Sequence, residues 1–207
     1  MAIRPILTEG HPLLRQKAKR VRRIDPSMRR LIDDMFDTMH EADGLGLAAP
    51  QVGVPLRLVV IEYEGDRHVL FNPEITRQRG EVTDEEGCLS LPRWFGPVTR
   101  SEQVTVKGRD YAGKAIRVKL EGLPARAVQH EVDHLDGTLF VDRVEDRAQL
   151  RYVDPSEAAG PQSPAATATD GPTSGRSPAG DAAEQERADD LGGGPAAGEL
   201  DQEEAAS

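Results

Sequence analysis

One stretch of the sequence combines residue types and spacing that could do chemistry: Gln129-His130-Glu131-Val132-Asp133-His134. On an α-helix, residues four apart lie about 40° apart around the axis. His130 and His134 can therefore turn both imidazoles toward one metal ion. Glu131, beside the first of them, is placed to take a proton from water activated by that ion. Two histidines do not complete a site, so a third ligand must come from elsewhere in the chain.

The extended zinc-peptidase pattern His-Glu-x-x-His-x-x-Gly-x-x-His holds through Gly137 and then fails, because the last position is Phe140. A later glutamate would have to be Glu145, very close behind the motif, or Glu157, in a segment without core-forming residues. His11, His40 and His68 have no metal-ligand spacing. Cys88, in Glu86-Gly87-Cys88-Leu89-Ser90, is the chain's single cysteine. It follows a glycine in a polar turn just before an apolar stretch. A Cys-His-His set leaves a fourth position open, which marks a catalytic metal and not a structural one. At this point three readings stand: an amide hydrolase, a metallopeptidase of the His-Glu-x-x-His type, and a non-catalytic metal-binding module.

A third stretch, Gly44-Leu45-Gly46-Leu47-Ala48-Ala49-Pro50-Gln51, packs small residues around one amide side chain. Glycine there lets backbone approach a ligand closely. In this order, the 44–51, 86–90 and 129–134 stretches resemble the three signature motifs of the peptide deformylases. His11-Pro12-Leu13-Leu14-Arg15, with Ala18 and Val21, is similar to that family's N-terminal segment. The resemblance covers roughly residues 3–145. It implies removal of the formyl group from the N-terminal formyl-methionine of new polypeptides, with release of formate. It implies metal ligation by Cys88, His130 and His134 and proton transfer by Glu131. Oxyanion donors would be the Gln51 amide and the backbone N–H of Leu89. Substrate backbone would be met at Leu45, Gly46 and Gly87. Ferrous iron is the implied metal, with Zn2+, Ni2+ and Co2+ able to occupy the same ligands. The partners implied are nascent formylated chains and, beyond them, the ribosome. Ala127, Val128, Trp94 and Phe95 are candidates for a methionine pocket. Arg126 is a candidate for its wall, and Glu86 for a brace paired with Arg100.

The elements that must position these groups follow from periodicity. Asp25-Pro26-Ser27 is a helix start, a capping side chain followed by proline in the first turn. Met28, Leu31, Ile32, Met35, Phe36 and Met39 then repeat at helical spacing, predicting an N-terminal amphipathic helix. Strands are predicted at Leu56–Tyr63, His68–Phe71, Val98–Lys107 and Ala115–Leu120, with Asn72-Pro73 as a break. Leu123–Leu135 is the helix carrying the histidines, and Thr138–Val144 is a last strand or extended segment. The expected class is α+β: antiparallel sheets packed around a metal-binding His-Glu-x-x-His helix, plus the N-terminal helix.

Composition divides the 207-residue chain in two. From Pro155 to Ser207 the only large apolar residues are Leu191 and Leu200, too few to offset conformational entropy. The expected organisation is a catalytic domain over residues 1–154 and a disordered acidic Ala/Gly/Pro-rich tail over 155–207. The tail holds 11 acidic and 2 basic residues, against 25 acidic and 24 basic in the rest, so the net charge of −10 describes the tail. The near-neutral balance of residues 1–154 gives no argument for DNA or any other nucleic acid. No run approaches the ~18 apolar residues of a membrane span. Met1–Leu7 lacks the apolar core of a signal peptide, and a lone cysteine suits a reducing compartment. The expectation is a cytoplasmic protein without a membrane partner.

Overall fold

The computed structural model describes residues 2–154. The acidic stretch 155–207 and its expected disorder lie outside them. In chain order the elements are α1 (Pro26–Glu41), β1 (Gly46–Ala48), β2 (Leu58–Tyr63), β3 (Asp66–Arg79), β4 (Val82–Cys88), β5 (Leu91–Arg100), β6 (Gln103–Arg109), β7 (Ala115–Glu121), α2 (Gly122–Leu135) and β8 (Arg151–Tyr152). Antiparallel pairing gives a five-stranded sheet, β1-β2-β3-β6-β7, and a three-stranded sheet, β4-β5-β8. Among the described residues, no helix is long and apolar enough to cross a membrane.

Strand β2 explains how both helices are held. Alternate side chains point to opposite faces of a sheet. Leu58 and Val60 face α1, joining Leu31, Ile32, Met35, Phe36 and Met39. Val59 and Ile61 face the other way, joining Ala125, Val128 and Leu135 of α2. All four β2 residues are fully inaccessible. Burying each contributes about 1.5–3 kcal/mol of apolar transfer. A third cluster, Leu14, Leu91, Val98, Leu139, Phe140 and Val144, underlies the small sheet, and Cys88 packs against it.

The start of α1 is as expected: the Asp25 side chain accepts from the backbone N–H of Ser27, with Pro26 at the first helical position. Three strand expectations change. Residues 98–107 do not form one strand, because β5 belongs to the small sheet and β6 to the large one. The chain crosses between them at Ser101, which the Gln129 side chain clasps through both its amide oxygen (3.1 Å) and nitrogen (2.8 Å). Asn72-Pro73 does not end β3. Asn72 takes φ 51° at a register shift, and β3 runs on to Arg79. Residues 138–144 hold a 3-10 turn, Phe140–Asp142, closed by the Asp142 carboxylate accepting from Leu139 N–H at 2.8 Å.

Candidate metal centre

Helix α2 carries His130, Glu131 and His134, and β4 ends on Cys88. The two elements meet so that one donor atom each from Cys88, His130 and His134 lies within 4.8 Å of the others. Cys88 Sγ is 3.2 Å from His134 Nε2. The His130 ring is fixed from behind: its Nδ1 lies 3.0 Å from Glu86 Oε2. That contact selects the tautomer and leaves Nε2 for the donor cluster.

Glu86 is itself the centre of a buried charge network. Arg100 donates to both its oxygens, at 2.9 and 3.0 Å, and Arg126 to one, at 2.7 Å. Arg100 also reaches Asp133, which Arg143 grips through two nitrogens. Burial pushes the Glu86 carboxyl up, but His130 and Arg100 together hold it down at about 2. The expected Glu86–Arg100 pair is thus present. Arg126, expected as a pocket wall, lines the cavity but spends its guanidinium on Glu86 and the carbonyls of Val98 and Val82. The part played by Asp133 was not anticipated. No spacing in the sequence singles it out, because its partners Arg100 and Arg143 lie on other segments and meet it only in the fold.

The donor set fits a divalent cation. Burial lowers His134 well below the ordinary histidine range, and burial would lower His130 too, but hydrogen bonding to Cys88 and Glu86 carries it well above. Soft sulfur and two imidazoles gather at one point, a donor set that suits a divalent transition-metal ion. Two buried polar atoms beside the cluster, Glu131 Oε2 and His134 Nδ1, have no hydrogen-bond partner among the described residues. Burial drives Glu131 up to about 7, which suits a group that must take and return a proton near neutrality.

Gln51 is oriented by its own backbone. Its Oε1 accepts from Ala48 N–H at 2.7 Å, which turns Nε2 toward Ser90 Oγ (3.2 Å) and Cys88 Sγ (3.8 Å). Leu89 follows Cys88 in the short turn between β4 and β5. Gly46 lies against the Glu131 carboxylate: a Cβ there would sit 2.7 Å from Glu131 Oε1. At Gly87 a Cβ would meet the Phe95 ring at 2.7 Å, so glycine lets β4 and β5 close together.

A cavity of about 620 Å³ opens over these groups. Leu45, Gly46, Gln51, Gly87, Cys88, Leu89, His130 and Glu131 all line it, so of the expected metal ligands, oxyanion and proton-transfer groups and backbone contacts all but His134 border one space. Ala127, Trp94 and Phe95 line it as well. Val128 does not: it faces the sheet, fully buried with Val59 and Ile61, because one helical step from Ala127 turns it about 100° around the axis. Phe140, where a peptidase would carry its downstream ligand, stacks on the His130 ring at 6.4 Å between centroids.

The polypeptide deformylase family model matches residues 3–149. A peptide deformylase of Thermomicrobium roseum is 54% identical over 166 residues, covering 76% of this chain and 94% of the relative. The crystal structure of a peptide deformylase from Legionella pneumophila superposes with a TM-score of 0.68 at 49% identity, covering 71% of this chain and 90% of that one. A peptide deformylase from Synechococcus elongatus, solved in complex with actinonin, gives 0.69 at 47%, covering 72% and 84%. The motifs, the Cys-His-His geometry and these likenesses agree: the chain belongs to the polypeptide deformylase family, metalloenzymes that hydrolyse the formyl amide of N-terminal formyl-methionine.

Proposed function

We propose that residues 1–154 form the catalytic domain and that Cys88, His130 and His134 hold one divalent ion, Fe2+ in the native protein, with Zn2+, Ni2+ or Co2+ as substitutes. The observation that carries this reading is the convergence of three donors within 4.8 Å beside an unpartnered buried Glu131 oxygen, at the floor of a cavity. When bound, the ion supplies Lewis acidity that makes water a competent nucleophile at neutral pH. Glu131 takes the proton released as the C–O bond forms at the formyl carbon. Gln51 Nε2 and the Leu89 N–H donate to the oxygen that gains charge. Glu131 then returns its proton to the departing amine as the C–N bond breaks, leaving formate and a free N-terminus. The backbone of Leu45, Gly46 and Gly87 pairs with extended substrate, in the manner of an added strand. The methionine side chain enters the space beside Ala127, Trp94 and Phe95.

A thiolate ligand requires a reducing compartment, which supports a cytoplasmic location. The substrate is the N-terminus of a newly made chain, which supports action close to the ribosome. The test is formate release from formyl-Met-Ala by protein purified without oxygen and assayed for bound metal. Activity no greater than that of a Glu131→Ala control would sink the proposal, and so would equal cleavage of unformylated peptides.

A further inference from the structure

The near-neutral charge of the domain conceals a strongly uneven distribution. Residues 15–30 hold 8 of its 24 basic residues and one acid, Asp25. Only Arg15 and Lys17 of the eight form ion pairs among the described residues. Lys19, Arg20, Arg22, Arg23, Arg29 and Arg30 are all exposed. None of them lines the catalytic cavity, so the reaction does not account for them.

The backbone beneath these cations is rigidly mounted. Ala18 N–H donates to Leu135 O at 2.8 Å, Lys19 N–H to Pro55 O at 2.9 Å, and Arg57 N–H to Lys19 O at 2.8 Å. The Asn72 amide clasps Val21, accepting from its N–H at 2.7 Å and donating to its carbonyl at 2.9 Å, and Arg109 donates to the same carbonyl. Ala18 and Val21 anchor the segment in the core while the intervening side chains face water. Arg29 and Arg30 then stand near the start of α1, whose first turn carries no acid. At that end the Asp25 carboxylate favours the helix dipole, and these two cations oppose it.

We propose that this belt binds the phosphate backbone of duplex RNA. Five of the six exposed cations between 19 and 30 without an ion pair among the described residues are arginines, whose planar forks match phosphate oxygens. The nearby aromatic, Tyr111, is already covered by the Arg29 guanidinium at 5.0 Å, so the belt offers backbone contacts and no stacking platform for bases. No large apolar residue is exposed between 15 and 30, unlike a membrane-surface segment. RNA is also the polyanion that surrounds new chains, a choice that rests on the function proposed above.

The experiment is an anisotropy titration of the full chain against a labelled 20-base-pair RNA duplex from 50 to 200 mM salt. Two variants accompany it: Lys19→Gln/Arg20→Gln/Arg22→Gln/Arg23→Gln, and Arg29→Glu/Arg30→Glu, which favours the helix start and so guards against misfolding. The wild type should bind, and the fourfold variant should lose up to about 3.6 from the slope of log affinity against log salt. The double variant should bind more weakly at every salt, and both should hydrolyse formyl-Met-Ala at the wild-type rate. The proposal is overturned by absence of wild-type binding, by variants that bind equally, by binding lost only together with hydrolysis, or by polyglutamate or anionic vesicles competing as well as unlabelled RNA. A chain that binds RNA but does not deformylate would overturn the catalytic reading and leave the belt standing.

Discussion

Gly46 offers the sharpest test of the proposed site because its substitution touches the Glu131 carboxylate and none of Cys88, His130 and His134. An alanine Cβ would lie 2.7 Å from Glu131 Oε1, 2.8 Å from Cγ and 3.1 Å from Cδ. Ordinary contact requires about 0.7 Å more. Gly46 is not among the glycines with positive φ, so alanine meets no backbone penalty. β1 is held by its pairing of Gly46 with Ile61, and the surrounding Leu47 and Ala48 are fully buried, so the strand has little room to retreat. The carboxylate must move instead. A 1 Å misplacement of a reacting group costs on the order of 100-fold, so Gly46→Ala should lower kcat by roughly 30–100-fold, about 2–3 kcal/mol in the barrier. Bound metal per chain should not change. Combining Gly46→Ala with Glu131→Asp, which withdraws the carboxylate by one methylene, should cost much less than the two separate losses together. Steady-state kinetics on formyl-Met-Ala with metal analysis reads all of this. Wild-type kcat with a raised KM would refute the reasoning, since the glycine would then serve the substrate backbone and not the carboxylate.

Glu86→Gln should lower stability by about 3–5 kcal/mol, because Arg126 would keep a buried charge without a carboxylate partner and Arg100 would retain only Asp133; calorimetry checks it. The same variant should weaken metal binding by about 10–100-fold in a chelator competition, since His130 loses the acceptor that orients it. Gln51→Ala should reduce kcat by about 100–1000-fold, as loss of one oxyanion donor does, and should also destabilise the fold by about 1–3 kcal/mol by orphaning Ala48 N–H. Truncation after Asp154 should leave kcat/KM and Tm nearly unchanged, since the residues removed include almost no core-forming side chain; a large fall in either would show that they support the domain.

Where one face of an element is apolar and the other is not, the sequence announces it. The α1 stripe from Met28 to Met39 and the β-branched run of β2 are legible for that reason. The β4–β5 hairpin was not, because β4 reads Val-Thr-Asp-Glu-Glu-Gly-Cys and buries only Glu86 fully. Its pairing comes from tertiary context: glycine beneath the Phe95 ring and a carboxylate drawn into an arginine cluster. The corner at Ser101 was hidden likewise, since the residue that makes it, Gln129, lies 28 positions away. At the site, local motif spacing pointed to the donors. The brace behind them was legible only as one pair, because Asp133, Arg126 and Arg143 converge through the fold and not through spacing.

Cys88 packs with the cluster under the small sheet, whereas the helix bearing both histidines packs into the cluster under the large one. One ion would therefore rivet two separately cored parts of the domain, which the Glu86 and Asp133 ion pairs also join across this seam. Any ligand bound only by the native state adds RT ln(1 + [L]/Kd) to its stability. Here that increment falls on a particular opening motion, the parting of the β4–β5 hairpin from α2. Amide hydrogens of the hairpin should thus exchange with a rate that tracks free metal concentration, while those of β2 and α1 stay near the global limit. Metal supply would set how long the catalytic half of the molecule survives as well as how fast it works.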